Sequence, residues 1–305
     1  MSGPLLLHSL SEFRSLILPI LDAVGPRRIV ELGGEGGLMT EELAGWAQAH
    51  GAELHCVDPL PGSHLRQLAG AGRVRLAQAK SPGALADLPR FDVYVVDGDH
   101  NFHVVSGELA AIFDEAGDGE HPIALMHDVA WPAARRDMYY DPDDVPAEAR
   151  RPLDYERGAV PGEPLLQAGR GFRGAGHFAY ATEEGGARNG VLTAVEDLLG
   201  RRGDLELRRV PCVFGFGAVY PSGAPWADRV RAVLDPFHES ELLARLEQNR
   251  LELYLEVIDR RRAAEGLARG GQELLDGLQR ELEAERAENA RLRLELASQR
   301  EGSRA

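Results

Sequence analysis

An α/β fold is predicted for this 305-residue chain: a Rossmann-like, doubly wound sheet of seven strands with an antiparallel last strand, followed by a C-terminal helical or coiled-coil extension. Three observations predict it. Strand-like and helix-like segments alternate over residues 28–127, as in a parallel sheet covered on both faces. Two strand-like runs, 205–210 and 213–220, are separated only by Pro211 and Cys212, too short a link for a parallel pair. Beyond Pro236 the composition shifts to Glu, Arg, Leu and Ala with few aromatics.

The elements follow in order. Residues 9–24 place Phe13, Leu16, Ile17, Ile20, Leu21 and Val24 at helical spacing, with Ser9 and Glu12 as a capping box and Gly25-Pro26 as a stop. Strands are expected over 28–32, 53–57, 74–77, 91–97 and 122–127, with helices over 38–50, from Ser63, and over 103–116. Residues 129–188 break this rhythm with six prolines, eight glycines and seven aromatics, which reads as an ordered cover, a lid or substrate insertion. A helix over 191–199 and the two antiparallel strands complete a domain of residues 1–236. Residues 237–305 form the extension. Within it Leu275, Leu278, Leu282, Glu285, Asn289, Leu292 and Leu296 alternate steps of three and four, the a/d spacing of a coiled coil over about 274–296 with Asn289 at an a position. A solvated single helix, or one packed on the body of the chain, is the alternative.

Composition narrows the function. Hydrophobic residues make up 44% of the chain and charged ones 27%, which excludes disorder as the overall state. The net charge is −15 and the basic side chains are one lysine, Lys80, against 33 arginines, so no nucleic-acid-binding surface is expected. Cys56 and Cys212 both fall in apolar stretches and read as buried thiols in strands. No apolar run approaches the ~20 residues of a membrane span, and a cytoplasmic protein is expected.

The chemistry is concentrated at strand ends. The first strand runs through Val30-Glu31-Leu32-Gly33-Gly34-Glu35-Gly36-Gly37 into a helix, where glycines let backbone N–H groups approach a ligand. A dinucleotide loop needs G-x-G-x-x-G, and from Gly34 the sixth position is Met39, so that pattern fails. The second strand closes at Asp58, where an acid can accept two ribose hydroxyls or cap the next helix. Strands four and five end in Asp97-Gly98-Asp99-His100 and His127-Asp128. These side chains converge on one crevice.

With these motifs the sequence resembles class I S-adenosylmethionine-dependent methyltransferases, and within them the bacterial small-molecule and sugar O-methyltransferases that carry a DGDH and an HD motif. The resemblance covers about residues 25–221 and departs from the common pattern at Glu35, where a middle glycine is usual. It implies S-adenosylmethionine bound through Glu31, Gly33, Gly34, Glu35, Gly37, Asp58 and Asp97. Glu31 would orient the loop and the methionine amino group, or cap the next helix. In catechol-type relatives the metal ligands come from the same two strand ends, which makes Asp97 and Asp128, with His127, candidates for Mg²⁺ or another divalent cation. The metal-free reading makes His100 or His127 a general base beside Asp128.

Arg135, Arg136, Tyr139 and Tyr140 follow the HD pair directly and are candidate substrate contacts; the alternative pairs the arginines with Asp141, Asp143 and Asp144. The run 184–191 reads as a returning active-site loop or as a plain helix start. The function implied is O-methylation of a hydroxyl on a small polar acceptor, a sugar or glycosylated metabolite. Homo-oligomerisation through the C-terminal helix is expected. The rival is a non-catalytic adaptor of the same fold that assembles partners through the coiled coil.

Overall fold

The computed structural model describes residues 5–117 and 119–302, with side chains to 296. It divides into two compact units, Met1–Leu255 and Glu256–Ala305. The first extends past the boundary expected at 236, because the opening turns of the last helix are part of it. Leu251 and Leu255 are buried there, and Leu251 packs with Leu6 and Phe214.

The chain begins with a 3₁₀ turn, Leu10–Phe13, and α1 (Arg14–Val24), which stops at Gly25 in the left-handed conformation. The Ser9 hydroxyl accepts from the Ser11 N–H and not from Glu12, so the expected capping box is a tighter turn. Then follow β1 (Arg28–Leu32), α2 (Leu38–His50), β2 (Glu53–Val57), α3 (Ser63–Gly70), β3 (Arg75–Ala77), β4 (Val93–Val96), α4 (Phe102–Phe113) and β5 (Ile123–His127). The insertion holds β6 (Met138–Tyr139), β7 (Leu153–Asp154) and β8 (Ala179–Ala181), a small antiparallel sheet in the order β6-β8-β7. After it come α5 (Val191–Arg201), β9 (Leu205–Val210), β10 (Phe216–Pro221), α6 (Ala227–Leu234) and α7 (Glu241–Gly302).

The main sheet has the order β3-β2-β1-β4-β5-β10-β9. β1 to β5 are parallel, and β10 lies antiparallel between β5 and β9. Alternate strand residues feed two cores, as the period of two requires. Ile29, Val93, Val95, Ile123 and Leu125 pack with Ile17, Leu21, Leu43 and Val230 of α1, α2 and α6. Val30, Leu32, Tyr94, Val96 and Met126 pack with Val105, Leu109, Ile112, Val195 and Leu198 of α4 and α5. The sheet is thus doubly wound, and the chain leaves β1 toward β2 on one side and reaches β4 on the other. A crevice opens outside the carboxyl ends of strands at such a switch point.

One expected strand starts late. Val213 and Phe214 read as strand because they are apolar, yet they have φ of 47° and 63° and form a turn ahead of β10. Cys212 consequently lies in that loop, half-buried, while Cys56 is a buried strand residue as expected; both are free thiols. Among the described residues no helix is long and apolar enough to cross a membrane.

Candidate active site

The β1 and β2 ends make one side of the crevice. Gly33 N–H donates to Val57 O at 2.9 Å and Asp97 N–H to Leu32 O at 2.9 Å, so three strand ends are tied together. Gly33 has φ of 85°, and a Cβ on it would lie 2.2 Å from the Asp97 carbonyl oxygen; only glycine fits. A Cβ on Gly34 would come within 2.6 Å of the Cys56 sulfur. Glu35 stands where the resemblance implies glycine, and its φ of 42° is the left-handed conformation that glycine adopts without strain.

The loop is held by Asp58. Its Oδ2 accepts the Glu35 N–H and its Oδ1 the Leu60 N–H, each at 2.7 Å. Each oxygen keeps a second lone pair for a ligand hydroxyl. Gly37 begins α2 at φ of 81° and donates its N–H to Gly34 O at 2.7 Å. Glu31 is buried beneath the loop, accepting the Thr40 hydroxyl of α2 at 2.5 Å. Burial pushes its carboxyl up to about 8, against the Thr40 hydrogen bond. Its contact is therefore to the helix under the loop.

The β4 and β5 ends make the other side. His100 Nε2 lies 2.8 Å from Asp128 Oδ2 and 3.4 Å from Asp97 Oδ1. His127 Nδ1 lies 3.1 Å from Asp97 Oδ1 and 3.2 Å from Asp128 Oδ2. Two imidazoles and two carboxylates thus share one small volume. Burial would push the His100 imidazole down, but Asp128 and Asp97 outweigh it and hold it up at about 10. His127 is raised well above its ordinary value by the same two acids, against the same effect of burial. Burial would raise Asp97 and Asp128, yet the imidazoles keep both below the usual carboxylate range.

The backbone here is also special. Asp128 sits at φ of 57°, in the left-handed region that aspartate and asparagine enter more readily than most residues. His127 Nε2 donates to Val213 O at 2.9 Å, which uses the strained turn before β10 as an anchor. That turn is fixed from α7: Glu247 Oε1 accepts the Phe214 N–H at 3.0 Å and pairs with Arg250.

With Nε2 committed to Val213, a neutral His127 presents the Nδ1 lone pair toward Asp97 and Asp128. These three groups offer ligand atoms all within 4.8 Å of one another. One imidazole nitrogen and two carboxylate oxygens, with the other ring N–H bound to a carbonyl, is a donor set that fits a divalent cation. The residues present therefore fit the metal that the resemblance implied. His127, nearly inaccessible and engaged at both nitrogens, does not fit the alternative role of a base acting on substrate. His100 is held at Nε2 by Asp128 and Asp97, and its Nδ1 has no hydrogen-bond partner.

Residues 30–129 match the family model of a methyltransferase domain. The match begins in β1 and ends just past Asp128, so it contains the glycine loop, Asp58, His100 and the whole strand-end cluster. No curated protein matches the chain. Among solved structures it is similar to the S-adenosylhomocysteine-bound methyltransferase PaMTH1 of Podospora anserina, with 17% identity, coverage of 68% of this chain and 76% of that one, and a TM-score of 0.43. It is similar also to the O-methyltransferase TomG of Streptomyces achromogenes in complex with S-adenosylmethionine, with 17% identity, coverage of 70% and 82%, and a TM-score of 0.42. An O-methyltransferase from Bacillus cereus in complex with S-adenosylhomocysteine gives 13% identity, coverage of 70% and 81%, and a TM-score of 0.39. Likenesses at this level decide neither cofactor nor acceptor.

The insertion is bolted to the site by Asp137, which the sequence did not single out, and by Asn189 of the run 184–191. Asp137 Oδ1 accepts the Phe102 and Gly190 N–H groups, both at 2.7 Å, and its Oδ2 accepts the Tyr139 hydroxyl at 2.7 Å. Asn189 accepts the Asp137 N–H at 2.8 Å, and Met138 N–H donates to His100 O at 3.0 Å.

Three of the four expected substrate contacts are engaged elsewhere. Arg136 is fully buried and donates to Ala181 O and Pro164 O, holding the insertion together. Arg135 pairs with Glu196 on α5 at the surface. Tyr139 is buried between Asp137 and the Arg151 N–H. None of the three reaches the cluster, because the chain turns aside into β6. The acids proposed for the arginines are taken by Lys80, which pairs with Asp141 and Asp144, and by Arg150, which pairs with Asp143.

Tyr140 is the one that stays at the site, half-exposed with its ring 5.8 Å from that of His100. It continues into Phe178 at 6.2 Å and Tyr180 at 5.1 Å beyond. The Tyr180 hydroxyl and the Trp131 indole N–H are buried without hydrogen-bond partners. The run 184–191 closes the insertion over residues 133–135: Gly185 N–H donates to Arg135 O and Val191 N–H to Ala133 O.

Proposed function

We propose that the chain is an S-adenosylmethionine-dependent O-methyltransferase that acts on a hydroxyl of a small polar acceptor, a sugar or glycosylated metabolite. The observation that carries this reading is the juxtaposition of His100 with Asp97, His127 and Asp128 at the strand ends, inside the stretch that matches a methyltransferase domain. When bound, S-adenosylmethionine supplies a methyl group on a sulfonium centre. The Gly33–Gly37 loop and the free lone pairs of Asp58 would hold its polar parts, with the α2 N-terminus behind them.

Asp97, His127 and Asp128 would hold a divalent cation, whose charge lowers the pKa of an acceptor hydroxyl. His100 takes the acceptor proton at Nδ1 while Asp128 holds Nε2–H, the arrangement in which a carboxylate fixes the tautomer of a base. A proton can be taken at Nδ1 only from a neutral start. The carboxylates that favour the His100 imidazolium are the ones a cation would engage. Tyr140 and Phe178 offer faces on which an acceptor ring can stack, and the unpartnered Trp131 and Tyr180 donors suit an acceptor with several oxygens. An insertion that covers the crevice would support this role, since methyl transfer needs an oriented, water-poor approach.

Calorimetry with S-adenosylmethionine, S-adenosylhomocysteine and NAD, followed by methyl transfer to a panel of sugars and phenols with and without chelator, tests the reading. Binding of the methionine-derived ligands and chelator-sensitive methylation of a sugar hydroxyl are expected. Absence of binding by either methionine-derived ligand would overturn it.

A further inference from the structure

The apolar stripe late in α7 is used by neither the fold nor the site. Leu275, Leu278, Leu282, Leu292 and Leu296 are each 44% to 57% exposed, on one continuous helix within the second unit. They occupy a and d positions when Leu275 is taken as a. The same register fixes the flanks. Position g is Glu281, Glu288 and Glu295, and position e, one heptad repeat after another, is Arg286 and Arg293.

This charge pattern chooses a partner. In a parallel, in-register pair of helices each g residue faces the e residue of the following heptad on the other strand, so Glu281 meets Arg286 and Glu288 meets Arg293, twice over by symmetry. In an antiparallel pair g faces g and e faces e, which would set glutamate against glutamate and arginine against arginine. We infer that this segment is a parallel, in-register homodimerisation coiled coil, its occupant a second copy of this chain.

Two further features agree. Asn289 lies at an a position, where a buried amide is satisfied by its own counterpart only when the strands are in register. Its side chain N–H₂ donates to the Glu285 carbonyl within the helix at 3.0 Å, leaving its carbonyl oxygen for the partner. Glu285 places an acid at a d position, and the e residue that flanks a d layer is Arg286 of the other strand. Within its own chain Glu288 is paired with Arg291 at 2.6 Å, but exposed pairs of that kind contribute little and do not compete with a cross-strand contact.

The experiment uses the full-length chain. Sedimentation over a range of concentrations is expected to show a dimer, and the double variant Glu281→Arg with Glu288→Arg to weaken association at least about tenfold, because all four cross-strand pairs then set arginine against arginine. Mixing it with the reciprocal Arg286→Glu, Arg293→Glu variant should restore a dimer containing one of each. In a Cys212→Ser background, Leu278→Cys should form a disulfide-linked dimer on oxidation, because residue 278 faces its own counterpart only in the parallel register. A monomeric wild type, unchanged association in the charge variant, failure of the mixed pair to associate, or no 278–278 cross-link in a dimeric protein would each overturn the inference. Methylation activity is not needed for any arm.

Discussion

At the β1 and β2 ends the crevice is made of backbone and of one acid whose two oxygens already hold amide N–H groups, whereas at the β4 and β5 ends four charged side chains crowd together beside buried donors without partners. The first side is complete without a ligand. Its shape is set by close approaches such as Gly33 on Asp97, and a ligand has only to fit it. The second side has charge in excess of structure. It keeps His100 Nδ1 without a partner, places Asp128 in the left-handed region, and relies on Val213 in a strained turn to hold His127. Strain and unsatisfied groups are tolerated where binding or chemistry uses them. On the proposed function, the first side would recognise the methyl donor and the second would carry the reaction.

The largest expected effect tests that division. Asp128→Asn keeps the left-handed backbone, which asparagine adopts readily, and removes the charge that orients His100 and contributes to the cation set. Turnover should fall by roughly 10³-fold, in the range of lost general acid–base and electrostatic catalysis. Affinity for S-adenosylmethionine by calorimetry should stay within about threefold, a shift of under 1 kcal/mol. A parallel loss of affinity would mean that the two sides do not act separately.

Gly33→Ala attacks the seam between them. The added methyl would collide with the Asp97 carbonyl and requires a positive φ that alanine resists, so methyl-donor binding should disappear and stability fall by on the order of 1–3 kcal/mol. Thermal unfolding and calorimetry read the two effects. Retention of full donor affinity would show that the loop can move without cost. Asp58→Ala should do less, weakening donor binding by about 10- to 100-fold, the equivalent of one or two lost charge-assisted hydrogen bonds. Unchanged affinity would remove Asp58 from the donor site and leave it as a staple for the loop alone.

The two sides also differ in how legible they were. The glycine loop, Asp58, Asp97, His100, His127 and Asp128 are all within five residues of strand ends, and strand ends follow from local apolar runs. The parallel topology then gathers them without further information. The insertion obeys no such rule. Nearness in sequence to His127-Asp128 suggested Arg135, Arg136 and Tyr139 as substrate contacts, but Asp137 pulls the chain onto the start of α4, and their side chains go to backbone carbonyls, to α5 and to Asp137 itself. Phe178 and Tyr180, which extend the aromatic row from Tyr140, are brought back by the pairing of β6 with β8 across forty residues. Val213 was misread for a similar reason: its conformation is imposed by Glu247 on a distant helix, where local sequence shows only an apolar run.

The smallest effect concerns a buried acid behind the reactive side. Glu108 on α4 is fully buried, accepts the Ser81 hydroxyl at Oε1, and has no partner for Oε2. Burial pushes its carboxyl up to about 8, from an ordinary value of 4.5. Below the ordinary value the acid is protonated in both the folded and the unfolded chain and has no effect on the pH dependence. Between the two values the folded state holds a proton that the unfolded state has released, so stability falls as pH rises through that window. Glu108→Gln keeps an amide in place of the protonated carboxyl and loses this slope. The variant should therefore gain stability relative to wild type as pH rises from about 5 to about 8, with no further change above that. Denaturant unfolding of both proteins at several pH values measures it, and a difference that stays constant across the window would show that Glu108 is already ionised in the folded protein. Glu31, pushed up to about 8 beneath the glycine loop, makes the same contribution from the other side and remains in both proteins, so the wild-type slope should be reduced in the variant and not abolished.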